Sequence, residues 1–128
     1  MIIFGTTFLL DYLDGEDATA EFLGDNEAKP FFAPTFALFE AYRGAAQSGD
    51  REEMERCSSA LDWVEPVPFE NAAAKEAALI ETELRDAGEG VSLGDTLIAG
   101  LCRHHGGTLV TRGSHVDRVE GLDVEAYG

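Results

Sequence analysis

The chain has 128 residues, 45% of them apolar, and its 25 acidic residues face 9 basic ones for a net charge of −16. That length suits one domain, here 1–128, built on one core, and the supply of aromatic and aliphatic residues excludes an acidic disordered chain. No run approaches the roughly 20 apolar residues that span a bilayer, and the Met1–Gly5 opening lacks the features of a signal peptide, so a cytoplasmic protein is expected.

Met1 to Gly5 reads as a buried first strand, and Thr6 to Leu13 as a helix with Phe8, Leu9, Tyr12 and Leu13 on one face. Asp14-Gly15 interrupts it, Asp17 to Leu23 forms a second short helix, and Phe31 to Pro34 is extended. Phe36 to Gln47 is helical, with Phe36, Phe39 and Tyr42 along one side. Asp50-Arg51-Glu52-Glu53 resembles a capping box and opens a helix in which Met54, Cys57 and Leu61 recur at helical spacing. Val64 to Phe69 is extended, and its two prolines assign it to a sheet edge or a loop. Asn71 to Ala87 is a helix stopped by Gly88-Glu89-Gly90. Ser92-Leu93-Gly94-Asp95 starts another, which buries Leu97, Ile98, Leu101 and Cys102 and ends at Gly106-Gly107. Thr108 to Thr111 and Val124 to Tyr127 are the last strands. Short apolar runs alternating with amphipathic segments indicate an α/β fold with a largely parallel sheet.

The acidity opposes compaction and repels nucleic acid in dilute buffer. In molar salt the Debye length falls to roughly 3 Å and both penalties fade, so the composition fits a very salty cytoplasm; an acidic protein that meets basic partners is the alternative. Cys57 and Cys102 fall on apolar helix faces without a CxxC partner and read as small buried hydrophobes. His104 and His105 stand about 100° apart at a helix end, where they favour the dipole rather than a metal. No GxGxxG or GxxxxGK[ST] loop follows the first strand, which disfavours a nucleotide-binding or flavodoxin-like domain, and no basic cluster supports a DNA-binding module.

In open parallel sheets, ligands bind beyond the carboxyl ends of the strands where the strand order reverses. That directs attention to Gly5-Thr6-Thr7, to Thr35–Glu40, to Asp95 and to Thr111–Asp117. Four segments there stand in order: I-I-F-G-T-T-F-L-L-D, A-P-T-F-A-L-F-E-A-Y-R-G, S-L-G-D-T-L-I-A-G-L and G-G-T-L-V-T-R-G-S-H-V-D. Together they resemble the motifs of the PIN domain family of the VapC toxin type, nearly end to end and least clearly over Asp50–Phe69. The resemblance implies a PIN-like three-layer α/β/α sandwich with a mainly parallel central sheet. It further implies the toxin of a type II toxin–antitoxin pair, a Mg²⁺-dependent (or Mn²⁺-dependent) endoribonuclease that hydrolyses RNA phosphodiester bonds. Such a protein forms a homodimer and is restrained by a VapB-type antitoxin.

Phosphodiester hydrolysis needs an activated water and a stabilised leaving oxygen, which hard divalent ions held by clustered carboxylates supply. Carried onto this chain, the resemblance makes Glu40 and Asp95 metal-ligating catalytic acids, with Asp117 a nearby substitute. Thr6 and Thr111 would hydrogen-bond the ligating carboxylates. The chain departs from the pattern at Gly5, where the family has its first aspartate, and at Gly113, where Asp or Asn follows Thr-Arg. Glycine offers no ligand, so a second reading stands beside the first: a catalytically disabled binding protein that dimerises and sequesters an antitoxin.

Each residue also has a plainer role. Asp95 could close a capping box after Ser92, Glu40 could be a solvated helix acid, Asp117 a surface acid, and Thr6 and Thr111 turn and cap residues. Asp11 reads as solvated or paired rather than catalytic. Arg43 and Arg112 are candidates for RNA phosphate contacts or for ion pairs with the many acids, and His115 lies near the same site.

Overall fold

Residue Ile3 lies at the centre of the molecule, wholly buried and flanked on both sides by parallel strands, Phe32 opposite it on one and Leu109 on the other. The structure, a computed structural model, describes residues 1–112 and 115–128. Strand β1 (Ile2–Phe4) is buried throughout, which is why it reads as an unbroken apolar run rather than an alternating one. The sheet is parallel with strand order β3-β2-β1-β4-β5, formed with β2 (Phe31–Pro34), β3 (Glu65–Val67), β4 (Thr108–Val110) and β5 (Asp123–Glu125). Strand β3, with Pro66 inside it, occupies one edge, as its prolines require.

The helices are α1 (Thr6–Leu13), α2 (Asp17–Asp25), α3 (Thr35–Ser48), α4 (Arg51–Ala60), α5 (Asn71–Asp86) and α6 (Leu93–His105), which flank the sheet in a three-layer α/β/α arrangement. A short 3-10 helix covers His115–Arg118. Boundaries move by a few residues from the sequence reading, each for a local reason. Helix α2 runs on past Leu23 because Asn26 donates its side-chain amide to the Phe22 carbonyl at 2.9 Å and closes the last turn. Helix α4 starts where expected, with the Asp50 carboxylate accepting the Glu53 N–H at 3.2 Å. Strand β5 ends at Glu125 instead of Tyr127, because Tyr127 leaves the ladder to bury its ring against Phe8, 4.8 Å between centroids.

An aromatic cluster organises the core around β1. The Phe4 ring stacks on Phe8 at 3.9 Å and meets Phe22 and Trp63 edge-on at 5.8 and 5.7 Å. Helices α5 and α6 pack closely through Gly100, where a Cβ would stand 2.6 Å from that of Ala77. Arg103 of α6 then ties this pair together, donating to Glu76 at 2.8 Å and to the Glu120 carbonyl at 3.1 Å. Gly106 ends α6 in the left-handed region at φ 67°, and the Gly107 N–H caps back to the Cys102 carbonyl at 3.1 Å. Cys57 and Cys102 are free and buried, and burial pushes the Cys102 thiol up to about 12. Among the described residues, no helix is long and apolar enough to cross a membrane.

Candidate active site

The parallel sheet delivers several chain segments to one end. Gly5 follows β1, α3 begins directly after β2, and Thr111 follows β4, so all three open at the carboxyl ends of neighbouring strands. Strand β1 sits between β2 and β4, where successive connections leave in opposite directions, which is where such sheets form a crevice. A cleft of about 470 Å³ lies there, and Gly5, Thr6, Glu40, Asp95 and Thr111 all line it.

Glu40 is half-buried on the second turn of α3. The Thr6 hydroxyl donates to its Oε1 at 2.6 Å, across from α1. Arg43, one turn further along α3, approaches its Oε2 at 3.7 Å and lies over the Phe39 ring, 5.2 Å from the centroid. One oxygen of the carboxylate is thus held before any ligand arrives, while half-exposed Arg43 stays beyond hydrogen-bond distance of the other. Asp95 occupies the first turn of α6, where the dipole favours an acid. Its N–H donates to the Ser92 hydroxyl at 3.2 Å, so the capping geometry is present, and the residue also lines the cleft. Gly94 lets α3 and α6 meet at this mouth: a Cβ there would lie 3.1 Å from the Phe36 ring and 3.7 Å from Glu40 Oε1.

Gly5 contributes backbone alone. Its N–H donates to the Val110 carbonyl at 3.2 Å, which extends the β1–β4 pairing into the cleft floor. Its φ of −80° and ψ of 174° suit any residue. A Cβ would meet only Leu109 Cδ1 at 3.6 Å and the Val110 carbonyl at 3.9 Å, ordinary contacts. Neither conformation nor space therefore requires glycine.

The remaining expected positions divide. Thr111 lines the cleft, its hydroxyl 3.3 Å from that of Thr7. Val116 lines it too, whereas its neighbour Asp117 is exposed on the 3-10 helix and is not among the described lining residues. Gly113 and the side chain of His115 lie outside the described residues. His104 and His105 are exposed at the end of α6, away from the cleft lining.

Asp11, read from the sequence as solvated or paired, is the paired kind. Its side chain is buried, accepting the Tyr127 hydroxyl at 2.6 Å and a guanidinium N–H from Arg112 at 3.3 Å. The signal available is its place one helical turn after the cleft residue Thr7. Burial and the Asp11 carboxylate together raise the Tyr127 hydroxyl from 10.0 to about 12. Because the folded pKa is the higher one, the unfolded chain loses this proton first as pH rises, and stability falls. We expect a stability contribution that is complete below pH 10.0 and lost as pH climbs through about 12. Chemical denaturation of the parent and Tyr127→Phe over that range checks it: the difference between them must shrink with rising pH.

The donor chemistry bears on a metal ion. Among the described residues, no group of three or more His, Cys, Asp or Glu side chains gathers to hold one. Two cleft carboxylates with hydroxyl neighbours are nonetheless hard oxygen donors of the kind Mg²⁺ takes. That ion is commonly bound through one or two carboxylates, with waters and substrate phosphates completing its shell. The set fits a divalent cation in its most reduced form.

No curated protein matches the chain by sequence. Its fold is similar to a chain in the crystal structure of VapBC2 from Rickettsia felis bound to a DNA fragment from the promoter, with a TM-score of 0.90 and 22% identity over 100% of both chains. DNA-bound VapBC from Salmonella typhimurium gives a TM-score of 0.86 at 21% identity, over 98% of this chain and 96% of that one. A toxin–antitoxin complex from Klebsiella pneumoniae gives 0.76 at 20%, over 95% of each. At these identities the likeness establishes the fold. The sequence match is more specific: residues 2–122 fit the PIN domain model, and the chain belongs to the PIN domain family.

Proposed function

We propose that this protein is the toxin of a type II toxin–antitoxin system, a Mg²⁺-dependent endoribonuclease of a salty cytoplasm, paired with a VapB-type antitoxin and active as a homodimer. The observation that carries this reading is the convergence of Glu40 and Asp95, from different helices, on one cleft at the carboxyl ends of β1 and β4. The structural likeness to VapBC chains and a toxin–antitoxin complex supports the partner class.

Under this reading Glu40 and Asp95 hold Mg²⁺ or Mn²⁺. When bound, the ion supplies Lewis acidity for phosphodiester hydrolysis. Thr6 orients Glu40 by fixing Oε1, which leaves Oε2, shared with Arg43, as the oxygen facing less competition. Ser92 holds the first turn of α6 and so sets the position of Asp95. Thr7 and Thr111 add hydroxyls to the same cleft.

The test is cleavage of a mixed RNA pool in molar KCl with Mg²⁺ or Mn²⁺, by the parent chain and by Asp95→Asn. Even an outer partner of a metal ligand is worth about 10- to 100-fold, so removing a ligating acid should lower cleavage at least about 100-fold. EDTA should abolish it. A parent chain that leaves the pool intact would sink the nuclease reading. So would cleavage that survives both EDTA and the substitution.

A second reading has its own support in Gly5, which presents no side-chain ligand at the cleft floor. A PIN domain disabled at that position would retain the fold and the antitoxin-binding role without hydrolysis.

A further inference from the structure

Salt screens the long-range repulsion between RNA and a chain of net charge −16 but makes no contact, so a phosphate still needs a local cation held at the cleft. Two arginines stand next to the lining residues, Arg43 and Arg112, with half or more of each side chain exposed. They differ in what they would give up. Arg43 approaches Glu40, a lining acid, and moving onto a phosphate would strip that carboxylate of its counter-charge. Arg112 pairs instead with Asp11, which is not among the lining residues.

The Arg112 pairing is built to be shared. Its Nη2 alone reaches both Asp11 oxygens, at 3.3 and 3.2 Å. Among the described residues, the other donors of the guanidinium fork are therefore open to the bidentate geometry that phosphate accepts. If Arg112 tilts away, the buried Asp11 carboxylate still receives the Tyr127 hydroxyl at 2.6 Å. Thr111, the preceding residue, anchors the segment to the cleft: its N–H donates to the Glu125 carbonyl at 3.1 Å and its hydroxyl meets Thr7. A surface ion pair alone explains neither the buried carboxylate nor its second donor.

We propose that Arg112 takes a backbone phosphate of single-stranded RNA at the rim of the cleft, held ready there by Asp11. Arg112 is then a substrate-binding residue and Asp11 a positioning residue. The inference rests on the nuclease reading above and deepens it.

Binding of a short fluorescent single-stranded RNA, followed by anisotropy over a KCl series, tests it. Ca²⁺ replaces Mg²⁺ so that the RNA stays uncut. Arg112→Gln should weaken binding about three- to tenfold and reduce the slope of log affinity against log salt by about 0.7, the loss of one phosphate contact on a single strand. Arg112→Lys keeps the charge and should keep the slope. With its side chain 60% exposed, the residue can change without opening the core, and circular dichroism melts verify folding. A lower melting temperature with an unchanged slope would mean that the Asp11 pair is structural, and would overturn the proposal. If the parent chain binds RNA but Arg112→Gln binds it identically, this inference alone falls. If the parent chain binds no RNA, the nuclease reading falls and takes the inference with it.

Discussion

Gly5→Asp is expected to bind Mn²⁺ or Mg²⁺ at least about tenfold more tightly than the parent chain and to cleave RNA faster in proportion. The position sits on the cleft floor between the elements that carry Glu40 and Asp95. Its extended backbone and its ordinary contacts with Leu109 and Val110 leave a side chain room. A third carboxylate adds ligand charge where two are now present. Without metal the new acid repels Glu40 and Asp95, offset by a few tenths of a kcal/mol from capping α1, which has no side-chain cap at present. The variant should therefore gain little or lose stability in EDTA, and gain more than the parent when metal is added, since a ligand bound only by the folded state raises the melting temperature. Calorimetric titration and paired melts read this independently of catalysis. Equal metal affinity in the two chains would show that Gly5 is not a vacated ligand position. Tighter binding without faster cleavage would mean that a further group is needed for hydrolysis.

Gly100→Ala should destabilise the fold by about 1–3 kcal/mol, because the added methyl overpacks a fitted interface. A Cβ at Gly100 would stand 2.6 Å from the backbone nitrogen of Ala77 as well as from its Cβ, and backbone cannot rotate out of the way. Alanine restores up to about 1 kcal/mol of helix propensity, too little to reverse the sign. The relief available is separation of α5 from α6, and α6 carries Asp95 in its first turn. Cleavage should thus fall together with stability, although the substitution lies more than a turn along α6 from Asp95. Thermal melts and the RNA assay check both halves. A melting temperature equal to or above the parent's would contradict the packing described.

Parts of this architecture are legible in the chain itself, for specific physical reasons. Strand β1 announces itself because burial on both faces demands an unbroken apolar run, and Pro66 marks an edge because proline withholds a ladder donor. Glu40, Asp95, Thr6 and Thr111 are singled out by the resemblance of their segments to the family's motifs, and all four do line one cleft. Asp117 is exposed instead, since the 3-10 helix presents Val116 to the cleft. What the sequence conceals is long-range pairing. Nothing local to Asp11 signals Tyr127 at the far end of the chain, and nothing local to Gly100 signals the Ala77 backbone. Helical periodicity reports which face is buried, but not which partner is buried against it.

The strand order has a consequence for how the protein is made. Gly5, Thr6 and Glu40 leave the ribosome early, together with β1 and its neighbour β2. Asp95 and Thr111 arrive only with the last third of the chain, and β1 stays half-unpaired until β4 joins it. Domains generally fold as units, so a single-domain chain gains its structure only once its last strands are available. A nascent chain therefore lacks the cleft, and its two acids meet only as translation nears its end. On the nuclease reading proposed above, the site would stay incomplete while the chain's own message is being translated.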